Sequence, residues 1–245
     1  MSRNTPTRFP KGVTNVDKTS TLGEIGQLDP TVYHTKFNDF DALATAPTTT
    51  ATTATANGFI TTIVDTDTDG GAAQAIQQTD DGRYLITTDD NAADSTFIQA
   101  QYETFAMELG KQSWFKTKFQ VADATDGFIV GLHILDASPL ATAPSDGIFF
   151  RSAEAAETVS LVVTKNSTET TLSMATVVDA TDISLGWHYD GVSKVWAYVN
   201  DVMVGSVAVT NLPDDEVLAE GFGIKNGTAA AKTLNMDYLF VAKER

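Results

Sequence analysis

The sequence predicts an all-β protein: an antiparallel two-sheet sandwich preceded by an extended N-terminal arm. Three observations carry this expectation. The chain holds 36 Thr and 30 Ala, and β-branched residues in such number suit strands with one solvated face. Its apolar residues recur in short runs bounded by Gly, Asp and Asn, the punctuation of strands and turns. No window sustains the apolar spacing of an amphipathic helix. A hydrophobic fraction of 42% over 245 residues is enough to bury a core, which excludes wholesale disorder.

The elements follow in order. Met1 to Lys18 holds Arg3, Arg8, Lys11 and Lys18 against one acid, Asp17, and carries Pro6, Pro10 and Gly12. It shows neither strand nor helix period and reads as an extended segment. Residues 19–30 are also irregular, so the arm spans 1–31 and the sandwich 32–245. Residues 32–40 alternate as a strand, and 42–57 form an Ala/Thr-rich low-complexity loop. Strands follow at 58–65, 83–88, 96–101 and 114–121, with an acidic turn at 65–71. Residues 128–135 form a continuous apolar run, as expected of a strand buried on both faces. Further strands fall at 146–151, 158–164, 170–178, 183–190, 194–200 and 202–209, the last two joined by an Asn200-Asp201 turn. Residues 221–225 and 234–241 close the chain. The expected core comprises Phe119, Ile129, Leu132, Ile134, Phe149, Leu161, Trp187, Tyr189, Val195, Val199, Ile224 and Leu239.

Charge and composition exclude several functions. The net charge is −16; a strongly anionic body repels phosphate backbones, so no nucleic-acid partner is expected. No stretch of about 18 apolar residues occurs, and no apolar region follows the N-terminal charges, so neither membrane span nor secretory signal is expected. Zero Cys removes disulfides, thiolate nucleophiles and cysteine-based zinc sites. The three His, at 34, 133 and 188, form no close pair in sequence.

The residues also carry a resemblance. Asp146-Gly147-Ile148-Phe149-Phe150-Arg151, then Trp187-His188-Tyr189-Asp190-Gly191, then Trp196-Ala197-Tyr198-Val199-Asn200-Asp201 resemble the strands of concanavalin A-like, laminin-G-like jelly rolls. Met236 to Val241 is similar to their last strand. Thr19 to Gly23, Asp29-Pro30-Thr31, His34 to Asp41 and the terminal Ala242-Lys243-Glu244-Arg245 resemble a family of tailed-bacteriophage virion proteins. That second resemblance covers nearly the whole chain, the 42–57 run excepted. It implies a structural component of the particle, a head decoration or cement protein. It implies assembly in the bacterial cytoplasm, residence on the capsid surface and a partner in the major capsid protein or another virion protein. No cofactor is implied. A homo-oligomer is expected, a trimer first. The basic arm is then the expected capsid contact: Arg3, Arg8, Lys11 and Lys18 supply charge, and Phe9, Val13, Leu22 and Ile25 supply apolar anchors.

Glycosidases of this fold set carboxylates on alternate residues of one strand face, and retention needs two of them about 5.5 Å apart. Glu103 and Glu108 are five apart, on opposite strand faces; Glu216 and Glu220 flank a loop and read as surface acids. No enzyme is expected. Asp65, Asp67 and Asp69 are spaced like the start of a calcium loop, yet position 76 is Ile where an EF-hand needs Glu, and the plainer reading is an acidic turn. Trp187 and Trp196 read as core residues rather than a sugar platform, with Trp114 left open. A lectin-like module binding a surface glycan remains the alternative function.

Overall fold

The strands form because apolar and β-branched residues alternate with polar ones, and Gly, Asn and Asp break each run. The computed structural model describes residues 15–17, 24–26, 33–40, 53–56, 58–66, 72–76 and 82–245. In chain order the strands are β1 (Asn15–Asp17), β2 (Glu24–Gly26), β3 (Tyr33–Asn38), β4 (Thr53–Ala56), β5 (Phe59–Val64), β6 (Ala73–Ile76) and β7 (Tyr84–Thr87). Then come β8 (Ser95–Ala100), β9 (Phe105–Ala106), β10 (Ser113–Val121), β11 (Gly127–His133), β12 (Gly147–Ser152) and β13 (Thr158–Lys165). The series ends with β14 (Thr168–Thr176), β15 (Ile183–Tyr189), β16 (Lys194–Val199), β17 (Val202–Ala208), β18 (Val217–Lys225) and β19 (Thr233–Glu244). The helical content of the described residues is one 3-10 turn, Val209–Asn211.

Two antiparallel sheets face each other. The first runs β17-β16-β15-β10-β19-β7-β6, with β3 pairing along β19 beside β7; the second runs β14-β13-β12-β11-β18-β8-β5-β4, with β9 on β18. β1 pairs with β2 within the stretch expected as an irregular arm. β4 likewise arises inside the Ala/Thr-rich run. The remaining arm residues expected to contact a capsid (Arg3, Arg8, Phe9, Lys11, Val13, Lys18 and Leu22) lie outside the described residues, as do Asp67 and Asp69.

The main core is built from the inward positions of both sheets, including Phe115, Phe119, Phe128, Leu132, Phe150, Leu161, Trp187, Tyr189, Phe222, Ile224 and Leu239. Ile134 and Val199, expected inside, are only partly buried at its edge. Ile129 and Phe149 are buried as expected, but not in this core. They belong to a second, smaller cluster with Phe97 and Val162 on the outer face of the nine-stranded sheet. Alternation identifies a buried side; it does not say which layer does the burying.

Two tight hairpins set the order of the edge strands. Asn200 and Asp201 have φ of 49° and 65°, and Asn166 and Ser167 have 49° and 62°. Consecutive positive φ values are those of a two-residue turn whose twist matches the strands it joins. The first of these is the expected Asn200-Asp201 turn.

Candidate functional site

The outer face of the nine-stranded sheet is the candidate site, because a chain segment folds back over it and a groove opens beside that segment. Register places one row of outward positions at Gln99, Gly221, Gly131, Phe149 and Val162, in β8, β18, β11, β12 and β13 respectively. The neighbouring rows hold Phe97, Gly223, Ile129 and Arg151 on one side and Ala219, His133 and Gly147 on the other. None of these outward positions is a carboxylate, whereas a retaining glycosidase sets two of them on alternate residues of one strand.

Glycines let large rings lie flat on the sheet. A Cβ at Gly131 would stand 2.5 Å from Phe149 Cα, and one at Gly221 would stand 2.5 Å from His133 Nε2 and 2.7 Å from Phe97. The rings of Phe97 and His133 are 5.4 Å apart, and His133 meets Phe149 edge-on at 6.5 Å. The His133 side chain is fully buried, and burial pushes its pKa below the usual imidazole value. Its Nδ1 lies 2.6 Å from the Ile134 carbonyl, while Nε2 has no partner. With Nδ1 donating, Nε2 is an unprotonated acceptor facing Gly221.

Residues 134–146 close over this cluster. Ile134 N–H donates to the Asp146 carbonyl at the base of the loop. Gln99 holds Asp136 on both sides of its peptide, donating from Nε2 to the Asp136 carbonyl at 2.7 Å and accepting the Asp136 N–H at 3.1 Å. Glu103 accepts the Leu135 N–H at 2.7 Å, so that acid serves the loop. Beside the loop lies an open groove of about 290 Å³ lined by Gly127, Ile129, Leu140, Arg151, Glu154 and Lys225, among others. Its charges are paired: Arg151 makes a bidentate contact to Glu169 at 2.8 Å, and Lys225 pairs with Glu154. Fixed ion pairs of this kind offer donors and acceptors to a hydroxylated ligand without net charge.

Several expected residues stand elsewhere. Glu220, read as a surface acid, is buried and points between the sheets, where its Oε1 meets Lys36 Nζ at 2.6 Å and accepts from Asn38. Burial raises its pKa, with Lys36 and Asn38 opposing, and its Oε2 has no partner. The spacing of Lys36 and Asn38, alternate residues of one strand, could have suggested a shared inward partner, but nothing local pointed to Glu220. Glu108 pairs with Lys111 and Lys243 at 2.7 and 2.9 Å. Trp187 is fully buried, as expected. Trp196 is not a core residue: it is only partly buried, pairs in register with His188 on the outer face of the eight-stranded sheet, and carries the Lys194 ammonium 5.2 Å above its ring. Trp114 stacks on His188 at 5.1 Å on that same face. Among the described residues no three His, Asp or Glu are grouped to hold a metal ion.

No protein-family model matches the chain, and no curated protein sequence matches it. Solved structures do. A protein of unknown function from Shewanella oneidensis MR-1 is similar at 15% identity and TM-score 0.56, over 87% of each chain. The potassium-bound carbohydrate recognition domain of Emp46p is similar at 10% identity and TM-score 0.54, over 84% of this chain and 98% of that one. An endo-1,3-beta-glucanase from Streptomyces sioyaensis is similar at 13% identity and TM-score 0.53, over 89% and 99%. At such identities the likeness speaks for the fold alone, and the chain folds as a lectin-like jelly-roll sandwich of the concanavalin A type.

Proposed function

We propose that the chain is a non-catalytic structural protein of a tailed-phage particle, a head decoration protein attached through its arm and assembled as a homo-oligomer, with a trimer first. The observation that carries the non-catalytic part is the outer face of the nine-stranded sheet. Where an enzyme of this fold needs paired carboxylates, this face holds Phe97, Ile129, His133 and Phe149 packed onto glycines under the protein's own loop. The virion assignment is supported by the sequence resemblance, and by a charge asymmetry. Residues 1–18 carry four basic groups against one acid, and the rest carries 12 against 31. A locally positive arm offsets the repulsion between an acidic body and an acidic shell, and its arginines can pair bidentately with coat carboxylates. The test is deletion of residues 1–28. The expected result is a folded sandwich by circular dichroism that no longer sediments with particles; truncated protein at full occupancy refutes the arm. Particle cryo-electron microscopy that places the chain elsewhere refutes the decoration role.

A second reading has its own observation. The open groove beside Leu140, with its fixed Arg151–Glu169 and Lys225–Glu154 pairs, suits a surface glycan, so the chain then acts as a carbohydrate-binding module. A glycan array tests this: binding lost in Arg151→Ala supports the groove, and no binding by wild type removes the reading.

A further inference from the structure

The segment over the outer face is fastened unevenly. Its two ends are tied by hydrogen bonds: Leu135 and Asp136 to Glu103 and Gln99, and Ser145 and Asp146 to Thr164, Ser167 and Asn166. Between them Leu140 rests on the small outer cluster and is only partly buried, with Pro139 buried beside it. The stretch is made of small residues, with Pro139 and Pro144 stiffening it. The same three residues, Pro139, Leu140 and Ala141, wall the 290 Å³ groove on one flank and a smaller pocket of about 20 Å³ on the other. On the same face, between Phe97 and Phe149 of that cluster, lies a buried acceptor with no donor, His133 Nε2. An unsatisfied buried polar atom is a standing cost that solvent access removes. The main core is a separate cluster, so uncovering the outer one leaves it intact.

We propose that residues 137–143 form a displaceable cover, and that lifting it joins the two flanking pockets into one groove floored by Phe97, Ile129, His133 and Phe149. Because Gly147, Gly221 and Gly223 carry no side chains, those rings lie close against the sheet and the floor stays low once the cover leaves. The groove then crosses β12, β11, β18 and β8, roughly 15 Å at the usual strand spacing. A saccharide chain as its occupant rests on the second reading above; the displacement does not.

The test uses the full chain and needs no ligand. Diethylpyrocarbonate modification of His133 is followed by mass spectrometry in increasing urea below the unfolding transition. Local opening gives a rate nearly independent of urea, since little surface is exposed. Leu140→Gly removes the central anchor and is expected to raise that rate at least about tenfold without moving the global midpoint by more than a small fraction. A wild-type rate that follows global unfolding at every urea concentration overturns the proposal, as does a Leu140→Gly rate equal to wild type. If Leu140→Gly fails to fold, the wild-type urea dependence alone decides. Glycan-array silence of both proteins, with fast His133 modification, overturns the saccharide reading and supports the cover.

Discussion

Replacing Lys36 with Met isolates a charged contact that ties β3 to the opposite sheet. Lys36 Nζ stands 2.6 Å from Glu220 Oε1; the Glu220 side chain has no solvent exposure and that of Lys36 has 35%. Methionine keeps the apolar stem near Phe59, over whose ring the ammonium now lies at 5.4 Å, and deletes only the charge. Glu220 is then a buried carboxylate with Asn38 as its remaining partner. Breaking a buried pair from one side costs about 3–5 kcal/mol. Partial exposure of Lys36 and the ability of Glu220 to take up a proton place the expected loss near the lower end, about 3 kcal/mol at pH 7. For a chain of this size that lowers Tm by roughly 6–12 °C. The pH dependence follows from the raised pKa of Glu220. A carboxyl whose folded pKa lies above its unfolded value favours folding below that unfolded value and loses the benefit as pH rises through the folded one. Without Lys36 the pKa rises further, so the deficit of Lys36→Met shrinks on acidification. The double variant Lys36→Met with Glu220→Gln is expected within about 1 kcal/mol of wild type, since neither charge is stranded. Thermal unfolding at pH 7 and pH 5, with hydrogen exchange of the β3 amides, provides the assay. A shift below about 2 °C, or an equal deficit at both pH values, refutes the reasoning.

Other outcomes are expected. Asp126 is buried with one oxygen unpartnered and its pKa is pushed up to about 6 by burial, against Gly227 N–H, which donates to the other oxygen at 3.1 Å. The contribution of Asp126 to stability therefore falls as pH rises from about 4 to 6, and Asp126→Asn should stabilise by about 1–2 kcal/mol at pH 7 with no gain below pH 4; urea titration at the two pH values checks this. Ser167 holds a φ of 62° at the second position of its turn. Ser167→Gly should add about 0.5–1 kcal/mol by removing the left-handed penalty, read as a higher urea midpoint at unchanged slope. Arg3→Glu combined with Arg8→Glu should weaken particle attachment and flatten its salt dependence, measured by co-sedimentation across an ionic-strength series.

The sheets were legible because their signals are local. The apolar run at 128–135, the Trp187 strand and the Asn200-Asp201 turn each declare themselves within a few residues, and the turn's paired positive φ values match that expectation. What escaped depends on contacts distant in sequence. Ile129 and Phe149 alternate with Phe128, Val130, Ile148 and Phe150, all buried, so a run hydrophobic on both sides did not reveal that its outer half packs under residues 134–146. Glu220 sits 184 positions from the lysine that neutralises it, and a charge amid Leu218, Ala219 and Gly221 reads as a loop acid until that partner is seen. Trp196 alternates like a core residue because its strand neighbours Val195 and Ala197 are the inward ones. The glycines were visible as letters, but their purpose was not. Gly221 answers to the rings of His133 and Phe97 on neighbouring strands, and Gly131 to the close approach of the Phe149 backbone.

The covered outer face links stability to the proposed role. A chain with no cysteine has no covalent crosslinks and must draw its stability from burial or from partners. Most two-sheet sandwiches obtain it from one apolar layer and leave their outer faces wet. Here Phe97, Ile129, Phe149 and Val162 add a second layer. At about 1.5–3 kcal/mol per buried side chain, the gross gain is on the order of 6–12 kcal/mol before the entropy of ordering the cover is subtracted. The same packing fills the middle of that outer face. A turnover site needs polar groups held open to substrate and exempt from packing, a requirement that generally lowers stability. Under the proposed decoration role the chain has no such requirement, and its outer sheet is free to be packed.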